Sequence, residues 1–112
     1  DYDDAWALGL LLASPEVDIR LVVTATDNTT ARAQIVAKFL ERVGRADIPI
    51  GIGIYTNDDP VYAYAPDYDL ADYPGLILED GVQAMIDMVQ AEPEVTIVEL
   101  APTTNLAEAL VR

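Results

Sequence analysis

A chain of 112 residues, 52% of them hydrophobic, is about one domain's worth and carries enough apolar side chain to build a core. Twenty acidic residues against six basic ones set the formal charge at −14, which disfavours nucleic acid and anionic membranes as partners. With neither Cys nor His, the chain has no thiol nucleophile, disulfide, ordinary zinc site or imidazole base, and no run nears the roughly 18 apolar residues of a membrane span.

The first residue is Asp rather than Met and helical apolar sequence begins within five residues, so a preceding element is expected and the chain reads as a fragment. After Asp1-Tyr2-Asp3-Asp4, residues 5–13 are apolar nearly all round and stop at Ser14-Pro15, which predicts a short buried helix with acids at its N-terminus. Residues 19–25, β-branched and bounded by polar residues, predict a strand buried on both faces. Residues 26–30 supply a loop and an N-cap. Val36, Phe39, Leu40 and Val43 recur at i, i+3, i+4 and i+7, so a helix is expected over residues 30–43, closing on Gly44.

Residues 48–54 predict a second strand, with Pro49 tolerated near its start. Residues 55–78 are rich in Pro, Tyr and Asp without a clear period, and predict a long loop or lid that carries Tyr62, Tyr64, Tyr68 and Tyr73. Val82, Met85, Ile86 and Val89 mark a third helix, residues 95–100 a third strand, and a further helix is expected from Thr103 onward. Such alternation implies an α/β fold, with an open, mainly parallel sheet covered by helices on both faces and one strand still to come before Asp1. Ligands sit beyond the C-terminal strand ends of such sheets, where the loops at residues 1–4, 26–28 and 100–105 should share a rim.

Several carboxylates in four residues at a helix N-terminus can hold a hard cation, because Ca²⁺ takes six to eight oxygens and the helix dipole favours the acids. An Asp N-cap with spare surface acids explains the same residues as well. The segment Glu99-Leu100-Ala101-Pro102-Thr103-Thr104-Asn105 would expose backbone carbonyls at a strand end, and on its own is also an ordinary strand-to-helix turn.

Taken together, these segments resemble the inosine-uridine-preferring nucleoside hydrolase family. Asp1-Tyr2-Asp3-Asp4-Ala5-Trp6-Ala7-Leu8 matches the second half of that family's D-x-D-x-G-x-D-D-A-x-A-L loop, and residues 98–107 are similar to its G-P-L-T-N-L-A turn. Gly44-Arg45-Ala46-Asp47-Ile48-Pro49-Ile50 looks like its G-R-x-D-I-P-V passage, and Tyr73-Pro74-Gly75 with Glu79-Asp80-Gly81-Val82 fits one branch. Ala101 and Thr103 stand where the commonest spelling of the turn has Gly and Leu.

The resemblance implies a Rossmann-like nucleoside hydrolase fold, incomplete here. Residues 1–112 would be a single partial domain lacking its first strand and its C-terminal part. It further implies hydrolysis of a ribonucleoside to ribose and free base, with Ca²⁺ gripping the ribose 2′ and 3′ hydroxyls. Position by position, Asp4 and the Leu100 carbonyl are expected as metal ligands, with Asp1 a third that two alignments leave open. Asp3 is expected to bind the ribose, and Thr26 and Asn28 are both candidates for a further ribose contact.

The family's water-activating Asp and leaving-group His would fall outside this chain, which alone is expected to be inactive. A ribonucleoside, and neither nucleic acid nor membrane, is the expected partner, with a homo-oligomeric parent left open. Two other readings are a non-catalytic ribose- or metal-binding module of the same fold and an Mg²⁺-dependent phosphohydrolase. The second is disfavoured because none of the chain's cations, Lys38 and five Arg, lies near the Asp loop in sequence.

Overall fold

The structure is a computed structural model that describes residues 2–58 and 67–112. Asp1, Tyr62 and Tyr64 therefore lie outside the described residues. In chain order the elements are α1 (Tyr2–Ala13), β1 (Val22–Val23), α2 (Thr29–Arg42), β2 (Ile50–Gly51), a 3₁₀ turn (Leu70–Asp72), β3 (Ile77–Leu78), α3 (Gly81–Ala91) and α4 (Thr104–Val111). The three strands form a parallel sheet in the order β1-β2-β3, Val22 and Ile77 flanking Ile50. The expected α/β fold with an open parallel sheet is present.

Strand alternation decides which helix covers which face. Val22, Ile50 and Ile77 turn to one face and pack with Ala33, Ala37 and Leu40 of α2, the centre of the core, and with Ile48 and Tyr73. Val23 and Gly51 turn to the other, where α3 starts so close that a Cβ on Gly51 would come within 2.8 Å of the Gly81 Cα. Helices thus lie on both faces. At the end of α2, Val43 is the cap and Gly44 takes φ +74, the left-handed conformation that lets the chain leave the helix.

Three expectations change. The paired part of each strand is only two residues long. β3 falls inside the span read as a long loop, because its Ile77-Leu78 pair is too short to show a period between Pro-, Gly- and Asp-rich neighbours. Residues 95–100 are not part of the described sheet, and Ile97, Val98 and Leu100 are exposed. A strand needs a partner ladder, and residues 95–100 are separated from β1 by a groove of ≈ 400 Å³. The same groove explains why α1, expected to be buried, has no buried residue. Its Leu8 and Leu11 face that opening, while Trp6 stands 80% exposed on the outside.

Tyr73 gives the core a pH dependence. Its ring is buried and its hydroxyl donates to the Ile48 carbonyl at 2.7 Å. Burial, followed by the negative charges of Asp47 and Glu41, pushes the phenol up to about 12 from an ordinary 10.0. Since the folded value lies above the unfolded one, this contribution is complete below pH 10 and is lost as pH rises toward 12. Tyr68, whose hydroxyl donates to Glu41 at 2.7 Å, is likewise raised to about 12, mainly by burial. Tyr73→Phe should cost about 1 kcal/mol at neutral pH and flatten, without abolishing, the alkaline loss of stability. Urea melts of both proteins across that pH range measure it.

Candidate active site

The loops that follow β1 and β2 and the N-termini of α2 and α4 are joined by one buried polar knot. Thr24, just past β1, donates its hydroxyl to the Thr29 carbonyl at 3.0 Å, and Thr29 donates to the Gly53 carbonyl at 2.7 Å. Asn105, in the first turn of α4 and 3% exposed, donates Nδ2–H to the Thr24 carbonyl and accepts from the Ile54 N–H, both at 2.9 Å. The amide therefore bridges the chain just beyond two adjacent strands. Gly53 is required there: a Cβ would collide with the Thr24 carbonyl and lie 2.6 Å from the Asn105 Nδ2.

Above the knot, Thr26 and Asp27 take φ +71 and +54, a left-handed pair without glycine, of the kind that clusters at functional loops. Arg32 of α2 braces them, donating Nε–H to the Thr26 carbonyl at 2.9 Å and pairing with the Asp27 carboxylate at 2.7 Å. Thr56 closes the other side: its hydroxyl accepts from the Asp27 N–H at 2.7 Å and its own N–H donates to the Asp27 carbonyl at 3.1 Å. Asn28 caps α2, its Oδ1 accepting from the Ala31 N–H at 3.0 Å. Of the two candidates in this loop, Asn28 thus spends its acceptor on the helix end.

Asp3 and Asp4 lie in the first turn of α1, where Asp3 Oδ1 accepts from the Asp4 N–H at 3.1 Å. Asp4, Ala25, Leu100 and Ala101 line the same groove, so the acidic turn and the end of residues 95–100 face a common space beside the loop after β1. Asp3, Asp4 and the Leu100 carbonyl are all hard oxygen donors, the type that suits Ca²⁺ rather than zinc. Among the described residues no group of three or more carboxylates is assembled for a metal. Asp4 and Leu100 can therefore supply only part of a shell of six to eight oxygens.

Asp47, Asp67 and Asp80 are held below the ordinary carboxylate range. Asp80 caps α3, its carboxyl lowered first by the Gln83 N–H and then by Arg112, and Asp47 is lowered by its exposed pair with Arg45. Asn105, Thr29, Arg32 and Thr56 are the members of the rim that sequence reasoning did not single out. Asn105 was visible only as part of a turn motif, and the ordinary signal for a buried amide, an isolated Asn in an apolar helix start, is weak.

The family model for the inosine-uridine preferring nucleoside hydrolases matches residues 1–112. The chain belongs to this family. It is similar to the probable uridine nucleosidase 2 of Arabidopsis thaliana, 32% identical over 96% of this chain, and to the pyrimidine-specific ribonucleoside hydrolase RihA of Citrobacter koseri, 30% identical over 95%. The RihA of Photobacterium profundum is 44% identical over 46% of the chain. This family member spans 38% of the length of each of the first two relatives and 17% of the third. No solved structure matches it.

Proposed function

We propose that the full-length protein hydrolyses the N-glycosidic bond of ribonucleosides, uridine first among them, at a Ca²⁺ site built around Asp4 and the Leu100 carbonyl. One observation supports this above the others. In a chain matched throughout by the nucleoside hydrolase family, Asp4 of α1 and Leu100 line one groove beside the loop after β1. The curated relatives named for uridine or pyrimidine ribonucleosides favour a pyrimidine nucleoside as the first substrate to try.

When bound, Ca²⁺ supplies a grip on the ribose 2′ and 3′ hydroxyls and acidifies water. Asp4 and the Leu100 carbonyl would hold it, with Asp1 as a further donor. Asp3, at the exposed start of α1, accepts a hydrogen bond from a ribose hydroxyl, and the Thr26 hydroxyl and the Asn28 amide group are the ribose contacts offered by the braced loop. Negative groups around the sugar also favour the positive charge that builds on it as the bond to the base breaks. Arg32 keeps the Asp27 charge neutralised within the loop, and being so committed it is unsuited to holding a phosphate.

Water attacks the anomeric carbon, the bond to the base nitrogen breaks, and that nitrogen takes the electron pair and a proton. In this reading the groups that activate the water and protonate the base belong to other parts of the full-length protein. Losing one such group commonly costs on the order of a hundred-fold or more, so this chain alone should release no measurable ribose. The full-length protein should convert uridine to ribose and uracil and lose that activity to a calcium chelator. Absence of turnover of uridine, inosine and other ribonucleosides by the full-length, calcium-loaded protein would overturn the proposal, as would turnover by residues 1–112 alone.

A further inference from the structure

Among the described residues, Thr26 and Asp27 are the non-glycine positions with positive φ, and they are adjacent. That conformation is least tolerable for a β-branched residue such as Thr, and it persists only where the surroundings over-determine it. Here the surroundings are two other elements. From α2, Arg32 spreads its guanidinium across both residues, Nε–H donating to the Thr26 carbonyl at 2.9 Å and Nη2 to the Asp27 carboxylate at 2.7 Å. From the loop after β2, Thr56 takes the Asp27 N–H on its hydroxyl at 2.7 Å and returns its own N–H to the Asp27 carbonyl at 3.1 Å.

A turn alone does not require this arrangement. Glycine takes a positive φ at no steric cost, as Gly44 does after α2. The joining of the strand ends is already provided by Thr24, Thr29 and Asn105, and the start of α2 is capped by Asn28. What Thr26 adds over a glycine is a hydroxyl on the rim, in a backbone that Arg32 and Thr56 fix. Arg32 also lines the groove that Asp4 and Leu100 line, so the brace reaches the space of the ribose site proposed above, with its charge matched by Asp27. Its two bonds diverge from one rigid planar fork, a geometry that a lysine ammonium does not reproduce.

We infer that Arg32 is a positioning residue for ribose: through the Thr26 carbonyl and the Asp27 carboxylate it locks the left-handed pair, and so holds Thr26 and Asn28, on either side of Asp27, in the arrangement that meets the sugar. Arg32 acts through the loop and not on the substrate. The inference rests on the ribonucleoside reading above and adds to it the residue that shapes the sugar-binding loop. Without Arg32 the strained pair relaxes toward negative φ, and Thr26 and Asn28 move apart from their positions on the rim. A misplacement of about 1 Å in groups that position a substrate can cost on the order of a hundred-fold. Because these contacts are made to the sugar before the bond to the base breaks, the loss falls mainly on KM.

The test compares the full-length protein with its Arg32→Ala, Arg32→Lys, Asp27→Gly and Asp27→Gly/Arg32→Ala variants, by uridine kinetics at saturating Ca²⁺ and by amide hydrogen exchange. Arg32→Ala should raise KM about ten-fold or more with a smaller change in kcat. Arg32→Lys keeps the charge but not the fork, so its KM should rise at least about three-fold, and it carries the comparison if the Ala variant does not fold. In the Asp27→Gly background the left-handed backbone is unstrained at that position, so removing Arg32 should raise KM by less than about three-fold. Exchange at the Asp27 amide should quicken about ten-fold in Arg32→Ala while the Ile54 amide, held by Asn105, stays as in the parent. An arginine that only stabilised the fold would quicken both together and leave the KM of the folded enzyme unchanged. Parent-like KM in the Arg32 variants, an equal rise in both backgrounds, or equal quickening at Asp27 and Ile54 would overturn the inference and leave the reaction standing. A parent that turns over no ribonucleoside would overturn the reaction and the inference with it.

Discussion

Asn105→Ala should destabilise the chain by about 2–4 kcal/mol, because it leaves the Ile54 N–H and the Thr24 carbonyl without the partner each has now at 2.9 Å. Each buried polar group left unmatched costs about 1–3 kcal/mol, and a domain of this size has only about 5–15 kcal/mol in total. Asn105→Asp keeps the acceptor for Ile54 but loses the donor to Thr24, so it should fall between the parent and the Ala variant only where the new carboxyl is protonated. At neutral pH a buried charge facing a carbonyl should make it the worse of the two. Urea unfolding at acid and neutral pH separates these cases. A loss below about 0.5 kcal/mol for the Ala variant would mean that the knot does not hold the strand ends together.

Legibility of the fold in the sequence tracked how local each cause was. α2 was readable because Val36, Phe39 and Leu40 repeat at helical spacing and Gly44 ends the helix, signals that need nothing beyond the segment itself. α3 was readable for the same reason, with Asp80 capping through the Gln83 N–H. Residues 95–100 carry the composition of a buried strand, but pairing depends on what lies beside them, and across the groove β1 does not pair with them. β3 failed in the opposite sense: its two residues gain strand geometry from β2, which only the tertiary arrangement provides.

The rim divides along the same line. The sequence marked the acidic turn of α1 and the turn before α4 as separate loops at strand ends, and Asp4 and Leu100 do line a common groove. The left-handed pair at Thr26 and Asp27 was hidden, since neither residue is the glycine that usually announces that conformation, and the Arg32 brace that accompanies it comes from a helix position five residues past Asp27. The Asn105 bridge to Thr24 spans 81 residues of sequence and has no local trace.

The central claim, that the start of α1 is a calcium-dependent ribose site, is tested most directly by calorimetric Ca²⁺ titration of the full-length protein carrying Asp4→Asn or Asp3→Asn, each with uridine kinetics. A divalent ion held by several carboxylates loses much of its electrostatic stabilisation when one ligand becomes neutral. An amide at Asp3 can still hydrogen-bond the sugar but accepts less strongly than a carboxylate. Asp4→Asn should therefore weaken Ca²⁺ binding by about ten-fold or more, roughly 1.4 kcal/mol, and depress turnover with it. Asp3→Asn should bind Ca²⁺ nearly as the parent does and lose activity through the sugar. Unchanged Ca²⁺ affinity in Asp4→Asn would contradict the account and leave the acidic turn as a helix cap.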